Sequence, residues 1–340
     1  MKIGILGAGQ LSRMLALSSI PMGFDFIFYD KKLTNSVKNL GEFIEGSYSD
    51  HIQLEKFAKE CDIITYENEN IPYQTIEFLE SYKTTYPNSQ AIKLTQDKLL
   101  EKQLFHHLGI PTAPNKHIHS IDDAINFAKF NHYPFFIKKR TDGYDGRGLI
   151  KITNEKQLLN LDNSQLVDTV CEKFIAFERE VSLIAVISKT GHRAYYDLCE
   201  NTHSDGILHK TTNIVDDPIY NKAKMYTDLI LDYLGYIGCI AFEFFQIGND
   251  LLANEIAPRV HNSGHWTIEG AFTSQFENHI RAITGLPLGN TATRYRATMY
   301  NIIGTMLNPQ ELLKDNLCFF HDYKKEPKPG RKLGHYTVVN

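Results

Sequence analysis

The chain has 340 residues, 42% of them hydrophobic and 22% charged, with a formal net charge of −4; this globular composition excludes a disordered, collagen-like or low-complexity chain and predicts two or three domains. Acids and bases are interspersed, so there is no basic stripe to hold a nucleic-acid backbone. The five cysteines, Cys61, Cys171, Cys199, Cys239 and Cys318, stand far apart without a CxxC pair, which argues against a zinc cluster or disulfide framework and fits a reduced cytoplasm.

The opening MKIGILGAGQ lacks the pattern of a signal peptide, and no long uncharged apolar run follows, so neither export nor a membrane span is expected. Lys2 to Leu6 reads as a strand, Gly7 and Gly9 as a turn, and Leu11 to Ser19 as a helix on apolar spacing. A strand at Phe24 to Tyr29, a helix at Ile52 to Glu60 and a strand at Ile63 to Tyr66 continue the alternation. Alternating strands and helices imply a parallel α/β sheet. Glycines after a first strand let helix N-terminal amides approach a phosphate. Ser12 stands where a dinucleotide fingerprint has its third glycine, so the turn suits a single phosphate, or merely closes the strand-to-helix connection.

Pro87 to Thr95 reads as a polar break, followed by a helix from Gln96 to Leu108 that stops at Gly109. The first domain boundary is placed near residue 93. From there to about residue 190 short strands joined by turns are expected. Phe135 to Lys139 and Leu149 to Ile152 flank the loop TDGYDGRG, whose Gly143, Gly146 and Gly148, with Arg147, could fold amides over a polyphosphate. A Walker A loop would need a GK[ST] ending and a following helix, so the alternative is a plain surface hairpin. Lys138 could bring positive charge to the same phosphates, or be a solvated lysine at a strand end.

A helix from about Asp217 to Leu234 leads to two β-rich runs, CIAFEFFQI and LLANEIA. If they close around the loop Gly248-Asn249-Asp250, Ile247 opposes Leu251 and Glu243 opposes Glu255. Directly paired residues have Cβ atoms about 5 Å apart, and two such carboxylates call for a divalent cation with oxygen ligands. A one-residue register slip would put them on opposite faces. Asn254 and Arg259 could add a metal contact and a phosphate contact. Glu172 or Glu180 could accept ribose hydroxyls beside a strand that reads adenine, or each could be a surface charge; His203, His261 and His265 have no metal-ligand spacing and singly read as satisfied polar residues rather than catalysts.

These segments together resemble the N5-carboxyaminoimidazole ribonucleotide synthetase family of ATP-grasp enzymes, through GAGQLSRMLA, TYENENI, QDKLLEKQ, GYDGRG, FEREVS, NEIAPRVHNSGHWTIEG and PGRKLGH. The resemblance implies an α/β (α+β overall) ATP-grasp architecture: an N-terminal α/β domain at 1–93, an ATP-grasp domain at 94–275 with a hairpin lid at about 115–180, and a small C-terminal domain at 276–340. It implies carboxylation of 5-aminoimidazole ribonucleotide with ATP and bicarbonate, through carboxyphosphate, in a cytoplasmic homodimer without nucleic-acid or membrane partners. The nucleotide would be held by Lys98, Lys138, the loop Gly143, Tyr144, Asp145, Gly146, Arg147 and Gly148, the run Glu172, Lys173, Phe174 and Ile175, and Glu180, His203, Asn254 and Glu255. Glu243 and Glu255 would hold Mg²⁺, with Mn²⁺ as an alternative. Gln10, Leu11, Glu67, Asn70, Asn262, Ser263, Gly264, His265, Lys325 and Arg331 would hold the ribonucleotide. Tyr144, Asp145, Arg147 and Arg259 would act in catalysis, Asp145 by orienting the amine or accepting its proton. Ser12 and Asn68 depart from the family pattern, and the chain stops soon after GRKLGH, where many relatives continue. Another ATP-grasp ligase, a nicotinamide-dependent oxidoreductase and a nucleotide sensor are the competing readings.

Overall fold

The computed structural model describes residues 1–141 and 148–340. The N-terminal part is a four-stranded parallel sheet in the order β3-β2-β1-β4, made of β1 (Lys2–Leu6), β2 (Asp25–Asp30), β3 (Glu42–Glu45) and β4 (Ile63–Tyr66). Around it run α1 (Gln10–Ser19), α2 (His51–Glu60) and α3 (Tyr73–Glu80). Ile3, Ile5, Phe26 and Phe28 bury one face of this sheet against Leu15, while Leu6, Tyr29 and Tyr66 bury the other with Phe57 and Ile76. Burial on both faces is what short continuous apolar strands require.

The stretch read as a polar break instead forms helix α4 (Ser89–Gln96), started by Asn88, whose side chain accepts from Ala91 N–H. Only Ala91 and Ile92 of α4 are fully buried, too few to show a helical period. The break falls at Asp97, which caps α5 (Lys98–His107) through its carboxylate.

A second sheet of four antiparallel strands, in the order β5-β8-β6-β7, contains β5 (Asn115–Ile118), β6 (Phe135–Lys139), β7 (Leu149–Ile152) and β8 (Thr169–Lys173). It packs on α6 (Ile121–Asn131) and α7 (Glu155–Leu159) through Phe127, Phe135 and Leu158. Helix α6, where only strands and turns were expected, is capped by Ser120 and opens with Asp122 and Asp123, both favourable at a helix N-terminus.

The third sheet has nine strands. Its path runs β14-β13-β9-β11-β12-β15-β17-β16, with β10 (Arg193–Tyr195) pairing beside β9. The members are β9 (Arg179–Ile187), β11 (Leu198–Ser204), β12 (Ile207–Ile214), β13 (Gly238–Ile247), β14 (Asp250–Ala257), β15 (Ala297–Ile303), β16 (Cys318–Asp322) and β17 (Lys332–Val339). The C-terminal strands therefore extend the central sheet. Helices α8 (Tyr220–Leu234) and α5 cover one face through Ile230, Leu231 and Phe105 against Phe242 and Phe244. Short helix α9 (Thr267–Gly270), α10 (Gln275–Thr284) and Trp266 cover the other, and Trp266 and Ile280 share a core with Leu15 of α1.

The β13–β14 hairpin closes differently from the expectation. Ile247 pairs with Asp250, so the turn has two residues, Gly248 and Asn249. Regular pairing from there puts Phe244 opposite Ala253. A bulge then leaves Asn254 unpaired, and Glu243 does face Glu255. The extra residue of the bulge replaces the extra residue assumed for the turn.

Candidate active site

Two cavities meet above the β13–β14 edge. The larger, about 920 Å³, lies between the β1–α1 turn, residues 67–70 after β4, the α4–α5 junction and the segment from Tyr323 to Lys332. The smaller, about 420 Å³, lies between the second sheet and the nine-stranded sheet. Lys98, Glu255, His261, Asn262 and Lys332 line both.

In the smaller cavity the charges converge. Glu172 is nearly fully buried, accepts from Lys138 Nζ (2.5 Å) and is ion-paired with Lys102 Nζ (2.9 Å). Burial opposes its charge, but the two ammonium groups outweigh burial and hold the carboxyl down at about 2. Lys138 is pushed below its ordinary value by burial, with Lys102 and Lys98 adding to the effect. Glu255 is held low, chiefly by Lys98 Nζ at 3.1 Å. Glu243, facing it across the hairpin, is held high by burial and then by the Glu255 charge. Two carboxylates that cannot both ionise unaided make a receptive seat for a cation. Among the described residues no group of three or more His, Cys, Asp or Glu side chains is placed to hold a metal ion. A cation on this pair has room for further oxygen ligands, which a bound molecule or water can supply.

Lys173, Phe174, Ile175, Glu180, His203, Asn254 and Gly148 complete the lining of this cavity with Phe136, Phe177 and Phe245. His203 is ion-paired with Glu180. Burial pulls the imidazole down, but the Glu180 and Glu243 carboxylates outweigh burial and raise it above its ordinary value. The expected contacts from Gly143, Tyr144, Asp145, Gly146 and Arg147 lie outside the described residues.

Several groups lining the larger cavity are already satisfied by one another. Glu67 accepts from the amides of Gly9 (2.6 Å) and Ser12 (2.9 Å). A carboxylate of this chain thus holds two of the amides around the turn that the sequence offered to a phosphate. A Cβ on Gly9 would collide with Glu67 Oε1, which explains the glycine at a position whose backbone is ordinary extended. Ser12 is fully buried and its hydroxyl donates to Gly7 O (2.8 Å), so it fits the turn without strain. Arg259 forms a two-pronged ion pair with Glu69, including Nη2 to Oε1 at 2.6 Å. Burial raises the Glu69 carboxyl, and the guanidinium overrides it to hold the group below the usual range. Asn68 accepts from Asn70 N–H (3.0 Å), and Gln96 Nε2 donates to Glu69 O (2.7 Å) and Ile71 O (2.6 Å), which fixes this loop.

Gln10, Leu11, Asn70, Asn262, His265, Lys325 and Arg331 also face the larger cavity, and Lys325 hydrogen-bonds Gln10. Ser263 and Gly264, expected as ligand contacts, are buried behind it. Gly264 has no room for a Cβ, which would lie 2.7 Å from the Gln275 side chain. Ser263 takes part in a chain of hydrogen bonds. Asn201 Nδ2 donates to Ser182 Oγ (3.0 Å), which donates to Ser263 Oγ (2.8 Å), which lies 2.9 Å from His261 Nδ1. The Ser263 hydroxyl thus donates to Nδ1, and the His261 proton sits on Nε2, 3.6 Å from Glu243 Oε1. Burial, then Arg259, keeps this imidazole neutral, down at about 3.

Sequence reasoning missed Glu69, Glu101, Lys102 and Lys332. Lys102 had a signal, standing one helical turn after Lys98. Glu69 alternates with Glu67 in the same short run, but nothing local indicated its pairing with Arg259.

A nine-stranded sheet and a second, smaller sheet enclosing a cleft of lysines and facing glutamates define an ATP-grasp protein, and the ATP-grasp domain model matches residues 103–276. The ribonucleotide synthetase preATP-grasp domain model matches residues 1–96, and that of the phosphoribosylaminoimidazole carboxylase C-terminal domain matches 297–340. N5-carboxyaminoimidazole ribonucleotide synthase of Pseudomonas aeruginosa is 42% identical, with 99% of this chain and 94% of that protein covered. The crystal structure of the Thermus thermophilus synthetase superposes with a TM-score of 0.94 at 42% identity, covering 99% of this chain and 93% of that one. The Aspergillus clavatus synthase, solved with ADP and 5-aminoimidazole ribonucleotide, gives 0.90 at 28% identity, covering 100% and 93%. The chain belongs to the N5-carboxyaminoimidazole ribonucleotide synthase family.

Proposed function

We propose that this protein carboxylates 5-aminoimidazole ribonucleotide with ATP and bicarbonate, giving N5-carboxyaminoimidazole ribonucleotide, ADP and phosphate in purine synthesis. The observation that carries the reading is the shared wall. One cavity of lysines and facing carboxylates and one of paired polar groups have Lys98, Glu255, His261, Asn262 and Lys332 in common. The smaller takes ATP, with Lys138 and Lys98 toward its phosphates, the Glu172–Ile175 run along the adenine and Glu180 toward the ribose. The larger takes the ribonucleotide against Gln10, Glu67, Asn70, Asn262, His265, Lys325 and Arg331.

Bicarbonate is a poor electrophile, so transfer of the γ-phosphoryl group to it gives carboxyphosphate, which the ribonucleotide amine then attacks. Lys98 and Arg259 stabilise negative charge on the transferring group and on the carboxylate. His261, its proton on Nε2, donates toward the same region. Glu243 and Glu255 would hold Mg²⁺ (or Mn²⁺), which would supply neutralisation of phosphate charge. The family resemblance assigns to the run from Gly143 to Gly148, of which 143–147 lie outside the described residues, the role of keeping water from the mixed anhydride. Within it Asp145 is assigned to orient the amine or accept its proton, flanked by Tyr144 and Arg147. Domains at 1–93, 94–275 and 276–340, a homodimer and a cytoplasmic location complete the proposal. Among the described residues no helix is long and apolar enough to cross a membrane.

The deciding measurement is phosphate release from ATP in bicarbonate buffer, with and without 5-aminoimidazole ribonucleotide. Stimulation by the ribonucleotide is expected; its absence would reject the substrate assignment.

A further inference from the structure

β14 is the edge strand of its sheet, so its outward backbone groups need partners from elsewhere. At the bulge they find them within four residues. Ala253 N–H donates to Pro111 O (2.7 Å). Asn254 O accepts from Lys102 Nζ (2.8 Å), and Ile256 N–H donates to Glu101 Oε1 (2.7 Å). The last two bonds come from adjacent residues of α5 and grip the strand on either side of Glu255. Glu101 is 1% exposed and Lys102 3% exposed, and burying two charges costs several kcal/mol unless they are well engaged. Lys102 is also tied to Glu172, so the helix is anchored from the opposite side of the cleft.

We propose that Glu101 and Lys102 are positioning residues that clamp the β14 bulge and thereby hold Glu255 opposite Glu243, setting the affinity of that carboxylate pair for a divalent cation. The inference rests on the reading of Glu243 and Glu255 as the metal pair. Without the bulge, pairing would continue from Phe244 opposite Ala253, and Glu243 would meet Asn254. Glu255 would then turn to the other face of the sheet. The clamp thus acts on strand register, at one remove from the ligands.

The test is Mn²⁺ titration of the ADP complex, followed by the free Mn²⁺ paramagnetic signal, with ADP affinity without metal and the thermal transition measured alongside. Glu101→Leu and Lys102→Met are expected to bind Mn²⁺ about 10–100-fold more weakly, the usual range for groups that orient metal ligands. Glu101→Gln keeps an oxygen for the Ile256 amide and is expected to retain most of the affinity. Should Glu101→Leu fail to fold, Lys102→Met, which keeps an apolar stem of similar length, carries the test. Wild-type Mn²⁺ affinity in the folded clamp variants, with loss in Glu255→Gln, overturns the clamp and leaves the metal pair standing. Equal loss in Glu101→Gln and Glu101→Leu also overturns it, because the first retains the hydrogen bond. Wild-type affinity in Glu255→Gln overturns the metal pair itself.

Discussion

The two cavities treat charge in opposite ways. Around the larger, carboxylates are already matched: Glu67 by the amides of Gly9 and Ser12, Glu69 by the Arg259 guanidinium. Around the smaller, Glu172 and Glu255 are paired with lysines, but like charges are also held together: Glu243 faces Glu255, and Lys98, Lys102 and Lys138 converge near Glu172. A matched site keeps its shape without a ligand, whereas a site of opposed like charges gains stability when a ligand supplies the missing counter-charge. The first arrangement suits recognition of a fixed substrate, and the second suits a nucleotide whose binding is coupled to a metal ion.

Substitutions can break this contrast, beginning with the largest effect. Glu255→Gln leaves one metal-facing carboxylate, and turnover at fixed Mg²⁺ is expected to fall about 10²–10³-fold, the scale for losing one preorganised electrostatic contact. Steady-state kinetics over a Mg²⁺ series checks this, with circular dichroism confirming the fold. Arg259→Ala strands Glu69 in the matched cavity. It is expected to cost about 3 kcal/mol in urea denaturation, the low end for broken buried pairs, since Glu69 keeps some solvent contact. Glu172 gives a pH effect. Its carboxyl is depressed from 4.5 to about 2, so its stabilisation is complete above pH 4.5 and lost as pH falls toward about 2. Urea midpoints at pH 5 and pH 3 should show about 2 kcal/mol of this loss, and Glu172→Gln should lack it. Ser12→Ala keeps the Cβ and the helix and removes the hydroxyl bond to Gly7 O. A decrease of about 1 kcal/mol is expected in the same assay, with the KM for the ribonucleotide unchanged.

Much of the first α/β unit was legible, because β1, α1 and β2 carry strong apolar runs joined by a glycine turn. Helices α4 and α6 were not. α4 buries two of its eight residues fully, so a local pattern had little to register. The facing glutamates were read through the wrong hairpin: an assumed three-residue loop and an unforeseen bulge each add one residue to β14's side of the ladder. Local sequence shows that two strands turn back; it does not show which residue will bulge, since helix α5, far earlier in the chain, holds the bulge. The phosphate reading of the β1–α1 turn ran into the same difficulty. The amides of Gly9 and Ser12 are taken by Glu67, 58 residues after Gly9, and only tertiary structure brings that carboxylate to the turn.

The common wall has a consequence for ligand design. Because the same five side chains face both cavities, a compound joining a nucleotide fragment to a ribonucleotide fragment needs only a short connector. A short, stiff connector keeps the effective concentration of the second fragment high. Modest binders of either half could therefore combine into a tight one, with selectivity drawn from the matched cavity and much of its affinity from the charged one.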